Sequence, residues 1–138
     1  MHSVELLLAA LLIATPAAAQ TAYEGKAAVV DGDTIEVEGV RFRLEGVHAP
    51  ERSDPGGPAA TRFMADLLRD RTVSCEPTGD RSYDRLIAVC RIEPAGDIGA
   101  ALIRAGLGRD CTRYSRGRYS ALETAKGKAL PLPGYCRP

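Results

Sequence analysis

No Cys-x-x-Cys pair occurs in the chain, which argues against a zinc site, because tetrahedral thiolate sites are usually built from closely spaced cysteine pairs. No apolar run is long enough to span a bilayer comfortably: the longest, Leu6–Ala19, falls short of the roughly 20 residues a membrane helix needs. No linker or internal repeat divides the 138 residues, so they read as a single domain with a modest core. Lysine is scarce, at 3 against 15 arginines. Arginine suits bidentate phosphate recognition, although a GC-rich coding bias produces the same count.

The apolar run is broken only by small residues and ends in Ala17, Ala18 and Ala19 before Gln20. It reads as a signal peptide over residues 1–19, cut after Ala19, with a poor positive n-region. The mature chain is then a domain over residues 20–138, exported to the periplasm or beyond the cell and free of the membrane. Its charges divide unevenly: residues 20–80 carry 7 basic and 12 acidic groups, and residues 81–138 carry 11 and 5. An acidic half suits a cation and a basic half suits a polyanion, though such an imbalance is often only a solvated surface. Four cysteines, Cys75, Cys90, Cys111 and Cys136, behind an export signal argue for two disulfides among three possible connectivities.

The densest chemistry lies between Val29 and Glu51, VVDGDTIEVEGVRFRLEGVHAPE. Ile35 and Val37 alternate with Glu36 and Glu38, and Phe42 and Leu44 alternate with Arg41, Arg43 and Glu45, which predicts a β-hairpin turning at Glu38-Gly39. Asp31 and Asp33 precede the first strand and Glu51 follows the second by a Pro-containing turn, so the fold can gather three carboxylates near Arg43. Carboxylate oxygens suit a hard cation, and a guanidinium suits a phosphate. The competing reading is that Asp-Gly-Asp is turn chemistry and that Arg43 and Glu51 are solvated.

Elsewhere the pattern predicts a strand over residues 22–30, a helix starting at Pro58 with Ala60, Phe63, Met64, Leu67 and Leu68 in one stripe, and strands at Thr72–Glu76 and Arg85–Ile92. Those two strands make Cys75 and Cys90 cross-strand neighbours, leaving Cys111 for Cys136. The polar segment between them, PTGDRSYDR, reads as a loop. Asp97 caps a helix ended by Gly106, and Ser120 with Glu123 forms a capping box for a last helix.

The ordered run DGDT, then FRL, then a turn ending in APE resembles the thermonuclease family, the staphylococcal-nuclease-like domains, and further matches cover most of the mature chain. The resemblance implies an α+β fold, a five-stranded OB-type β-barrel with about three helices, and a monomeric nuclease acting on DNA or RNA. It implies Ca²⁺ as cofactor, with Asp33 as a ligand and Asp31 behind it. Glu51 would orient or deprotonate the attacking water. Arg43 and Arg85, the latter in SYDR where the family has KYGR, would neutralise charge on phosphorus. Tyr83 and Tyr114 match positions lining the family's nucleotide pocket, and Arg113, with Arg109, Arg116 and Arg118, adds a basic strip.

Three departures matter. His48 stands where the family has its second metal carboxylate, which weakens the case for Ca²⁺ because imidazole is a poor ligand for a hard cation. Asp84 replaces a glycine and Ser82 a lysine beside Arg85, and an acid there could draw the arginine into an ion pair. The alternative to a nuclease is therefore a catalytically weakened domain of this type that binds nucleic acid or a protein partner.

Overall fold

The computed structural model describes Met1, residues 11–16 and residues 22–138, so the expected signal segment lies largely outside the described residues. Among the described residues, nine strands and four helices follow in order: β1 (Tyr23–Gly25), β2 (Ala27–Asp31), β3 (Thr34–Val37), β4 (Val40–Leu44), β5 (Val47–His48), α1 (Gly57–Leu68), β6 (Val73–Ser82), β7 (Arg85–Ile92), β8 (Gly96–Asp97), α2 (Ile98–Arg104), β9 (Arg109–Asp110), α3 (Thr112–Ser115) and α4 (Ala125–Lys128). Single 3-10 turns occupy Ser120–Leu122 and Gly134–Cys136.

The hairpin forms as its alternation requires. Glu38 and Gly39 both take positive φ, 53° and 75°, the twist that lets a two-residue turn join antiparallel strands, and Ile35 pairs with Phe42 and Thr34 with Arg43. Ile35, Val37 and Phe42 are fully buried and form one wall of the core. The opposite wall is α1, whose buried Ala60, Met64 and Leu68 recur at a spacing of four and so share one face.

The main sheet runs β1-β6-β7-β4-β3-β2, with β8 added on β7, and a second sheet pairs β5 with β9. This is α+β but not the closed five-stranded barrel expected. The predicted first strand is interrupted at Lys26: β1 pairs with β6 and β2 with β3, so the two halves sit at opposite ends of the hydrogen-bonded path. As successive segments of one chain they have no turn that would let them pair with each other, and the ladder stays open there.

Two further expectations give way to stronger local partners. The polar segment PTGDRSYDR is mostly strand, since β6 runs on to Ser82 with a shift of register between Pro77 and Arg81, and only Tyr83 and Asp84 turn. The Ser120/Glu123 capping box does not form. Glu123 Oε2 instead accepts from Arg109 Nε at 2.7 Å and Ser120 Oγ donates to Asp110 Oδ2 at 2.6 Å, so both would-be caps are taken by β9. The last helix is capped by Thr124, whose hydroxyl accepts from Gly127 N at 3.0 Å. Asp97 does cap α2, accepting from Gly99 N at 2.8 Å.

Both disulfides are formed, Cys75–Cys90 across the β6–β7 ladder and Cys111–Cys136 between α3 and the chain end. Gly32 shows how tightly the aspartate turn is seated on α1. A Cβ there would lie 2.7 Å from Ala49 Cβ and 2.8 Å from Ala60 Cβ. Gly32→Ala is therefore expected to lower unfolding stability by about 1–3 kcal/mol, the usual cost of overpacking, as read by urea denaturation. An unchanged midpoint would mean that the turn is not held against the helix.

Candidate active site

The candidate side chains hang from three adjacent features: the β2–β3 turn, the parallel contact between β4 and β7, and the segment after β5. Parallel pairing sets Arg43 beside Ile87, so the two strands that carry Arg43 and Arg85 run together. Arg43, Glu51, Arg85, Tyr83 and Tyr114 all line one open cleft of about 770 Å³.

Asp33 is the fixed point. Its side chain is buried; Oδ2 accepts from Ala49 N at 2.9 Å and faces Arg43 Nη2 at 3.3 Å, and Oδ1 accepts from the Thr34 hydroxyl at 3.3 Å. Arg43 Nη1 donates to the carbonyls of Leu44 and Val47. A guanidinium has five N–H bonds. Two are bonded to those carbonyls, and the Nη2 amino group faces Asp33 in the ion pair, on a side chain that also walls the cleft.

Arg85 is held differently. Its Nη1 donates to Thr34 Oγ1 at 3.1 Å, Nη2 to Ser82 Oγ at 3.0 Å and Nε to the Ser82 carbonyl at 3.3 Å. Among the described residues Asp84 makes no ion pair with it, so the acid that replaces a glycine does not draw the arginine away. Ser82, in the place of a lysine, supplies two of its acceptors. Glu51 is exposed, and among the described residues its carboxylate has no protein donor.

The metal candidates separate. Asp31 Oδ1 accepts from Asp33 N at 3.2 Å; burial first, and the nearby Asp33 carboxylate second, push its carboxyl up to about 6. Two partly desolvated carboxylates that repel one another are a fit for a hard cation, which would relieve both. His48 does not extend that donor set. Its Nδ1 lies 3.2 Å from Tyr135 Oη, and burial, followed by Arg43 and Arg109, holds the imidazole down to about 4. Among the described residues no three His, Cys, Asp or Glu side chains converge as a metal cluster.

Two of the four arginines of the expected basic strip are engaged in structure. Arg109 bonds Glu123 and the carbonyls of Lys128 and Leu130, and Arg118 pairs with Glu45 at 3.7 Å and stacks 4.7 Å over Tyr119. Arg113 is exposed but outside the cleft wall. Two cleft residues were not legible in the sequence, Arg81 and Tyr135. Tyr135 carried one signal, its position immediately before Cys136.

Residues 41–130 match the family described as Staphylococcal nuclease homologue. Among curated proteins, the chain is 34% identical over 138 residues to "Succinoglycan biosynthesis protein ExoI" of Rhizobium meliloti (strain 1021), covering 91% of this chain and 72% of that protein. It is 27% identical over 137 residues to a Haemophilus influenzae (strain ATCC 51907 / DSM 11121 / KW20 / Rd) protein named "Uncharacterized endonuclease", covering 92% of this chain and 76% of that one.

The opposed shifts of Asp31 and His48 make a pH prediction. A carboxyl raised from 3.8 to about 6 binds protons more readily folded than unfolded, so its contribution to stability is lost as pH rises across that interval. An imidazole lowered from 6.5 to about 4 does the reverse, losing stability as pH falls through nearly the same window. Asp31→Asn, whose amide oxygen can still accept from Asp33 N, should raise the melting temperature at pH 7 but not at pH 3.5, in chelator-treated buffer. An equal change at both values would show that ionised Asp31 is not a burden on the fold.

Proposed function

Because this chain belongs to the family of staphylococcal nuclease homologues, we propose that it is an exported, monomeric, metal-assisted nuclease that hydrolyses phosphodiester bonds of DNA or RNA. The observation that carries the reading is the convergence of Arg43, Arg85 and Glu51 on one cleft beside the Asp31–Asp33 turn. Two guanidiniums and a free carboxylate are what an in-line displacement at phosphorus uses. Export rests on residues 1–19, and two disulfides suit an oxidising compartment.

Each residue's task follows from its tethering. Arg43, clamped to Asp33 and two carbonyls, offers its remaining N–H bonds in a fixed direction to a phosphate oxygen. Arg85, bonded to Thr34 and Ser82 by neutral acceptors only, exchanges those weaker bonds for charge-assisted ones to phosphate. Because neither cation must reorganise far, charge that builds on the non-bridging oxygens meets donors already in place. Glu51, exposed at the cleft, orients a water and takes its proton. Asp31 and Asp33 would hold a divalent cation, with water filling the rest of its shell; bound there, it would add positive charge beside the phosphate and acidify a coordinated water.

A second reading, a weakened domain that binds nucleic acid or a protein partner, is favoured by His48, which meets Tyr135 where the family has its second carboxylate. The test is Glu51→Gln, assayed on labelled single-stranded DNA and RNA with several divalent metals. Loss of a general base predicts a fall in kcat of roughly 10²–10⁴-fold with KM little changed. Wild-type protein that binds strands tightly but cleaves none under any metal would favour the second reading.

A further inference from the structure

Of the five tyrosines, two are structural. Tyr119 is buried and donates to Asp97 Oδ2 at 2.6 Å, and Tyr23 packs edge-on against Phe42, ring centroids 5.1 Å apart. The other three, Tyr83, Tyr114 and Tyr135, are 94%, 49% and 50% exposed, and all three line the cleft that holds Arg43 and Arg85. They come from three separate elements: the β6–β7 turn, α3, and the 3-10 turn Gly134–Cys136. Exposed aromatic rings from unrelated elements gathered on one cleft that also holds Arg43 and Arg85 are a surface for flat, apolar-faced groups carried on a phosphate chain.

Tyr135 is the member of the set whose position must be imposed, because it directly follows Pro133-Gly134 and sits on a single 3-10 turn, outside any longer helix or strand. The adjacent Cys136 is bonded to Cys111, at the start of α3, and Thr112 Oγ1 donates to the Cys136 carbonyl at 3.3 Å. Upstream, Arg109 holds the Lys128 and Leu130 carbonyls at 3.2 and 2.8 Å. The tail is thus fastened on both sides of the tyrosine. The ring stands edge-on to His48, centroids 6.2 Å apart, with its hydroxyl 3.2 Å from Nδ1, which fixes the ring's direction while leaving half of its surface to solvent.

We propose that Tyr135 is a substrate-binding residue, the ring on which an unpaired nucleobase next to the bound phosphate stacks, and that the Cys111–Cys136 disulfide is the device that keeps it in the cleft. The occupant is a single strand, because the bases of a duplex are stacked inside it and present no free face to a wall of the cleft. Stacking is tolerant of base identity, so this subsite selects strandedness and not sequence. His48 then acts as the positioning partner of Tyr135.

The inference rests on the nuclease reading for its substrate class, and its test reads binding as well as cleavage. Fluorescence anisotropy compares a labelled oligo-dT with an abasic strand of equal length, which has the same phosphates and no bases. Tyr135→Ala should weaken oligo-dT binding roughly five- to a hundredfold, the range for loss of one stacked base, and leave the abasic strand unaffected. Tyr135→Phe, which keeps the ring but loses the hydroxyl contact with His48, should fall between wild type and the alanine variant, and Cys111→Ser/Cys136→Ser should reproduce the alanine defect with Tyr135 still present. Equal weakening on both strands, or a phenylalanine variant as poor as alanine, would overturn the proposal. In the cleavage assay the alanine defect falls on KM with kcat retained; a wild type that cleaves nothing yet shows the same pattern of binding would refute the nuclease reading and leave the stacking subsite standing.

Discussion

The buried pair of Asp33 and Arg43 is the interaction on which the site depends. One carboxylate oxygen accepts the Ala49 amide, 16 residues along the chain, and faces the Arg43 guanidinium, which in turn bonds the Val47 carbonyl. The aspartate turn, the second strand of the hairpin and the segment leading to Glu51 are thereby tied at one point. Side-chain exposures of 7% and 13% leave little water to screen the pair, so losing either partner strands a charge in a poorly solvated place. The knot also constrains the arginine, because Nη1 is held by two carbonyls and Nη2 by the ion pair while the side chain walls the cleft.

Around that knot the electrostatics pull in opposite directions. Asp31 is desolvated and repelled by Asp33, and His48 is desolvated and repelled by Arg43 and Arg109. Each group is held in its neutral form over a wider pH range than in water. A fold optimised only for stability would avoid both, and such strain gathers where a site has work to do. Where the resemblance to the family implies a second metal carboxylate, this chain has His48, whose imidazole contacts Tyr135.

What the sequence made legible was local. The hairpin followed from alternation across Glu38-Gly39, α1 from the spacing of Ala60, Met64 and Leu68, and the α2 cap from Asp97, because each signal lies within a few residues of its partner. Asp33, Arg43, Glu51 and Arg85 were identifiable by motif, and the structure sets three of them on one cleft with Asp33 behind. Competition at a distance was not legible. Ser120 and Glu123 satisfy the pattern of a capping box, yet Asp110 and Arg109 offer them charge-assisted partners that a backbone amide cannot match. The break at Lys26, which leaves the ladder open, and the approach of Tyr135 to His48, 87 residues away, depend on packing that no local pattern encodes.

The claim that one buried ion pair organises both fold and site is tested most directly by a double-mutant cycle on unfolding free energy with Asp33→Asn, Arg43→Gln and the combination. Each single change should cost about 3–5 kcal/mol, because it leaves the other charge buried without its partner. The double variant should then be destabilised by clearly less than the sum of the singles, close to the worse of the two. Additive losses would contradict the account, since they would mean that Asp33 and Arg43 support the structure independently and that no shared knot constrains the arginine.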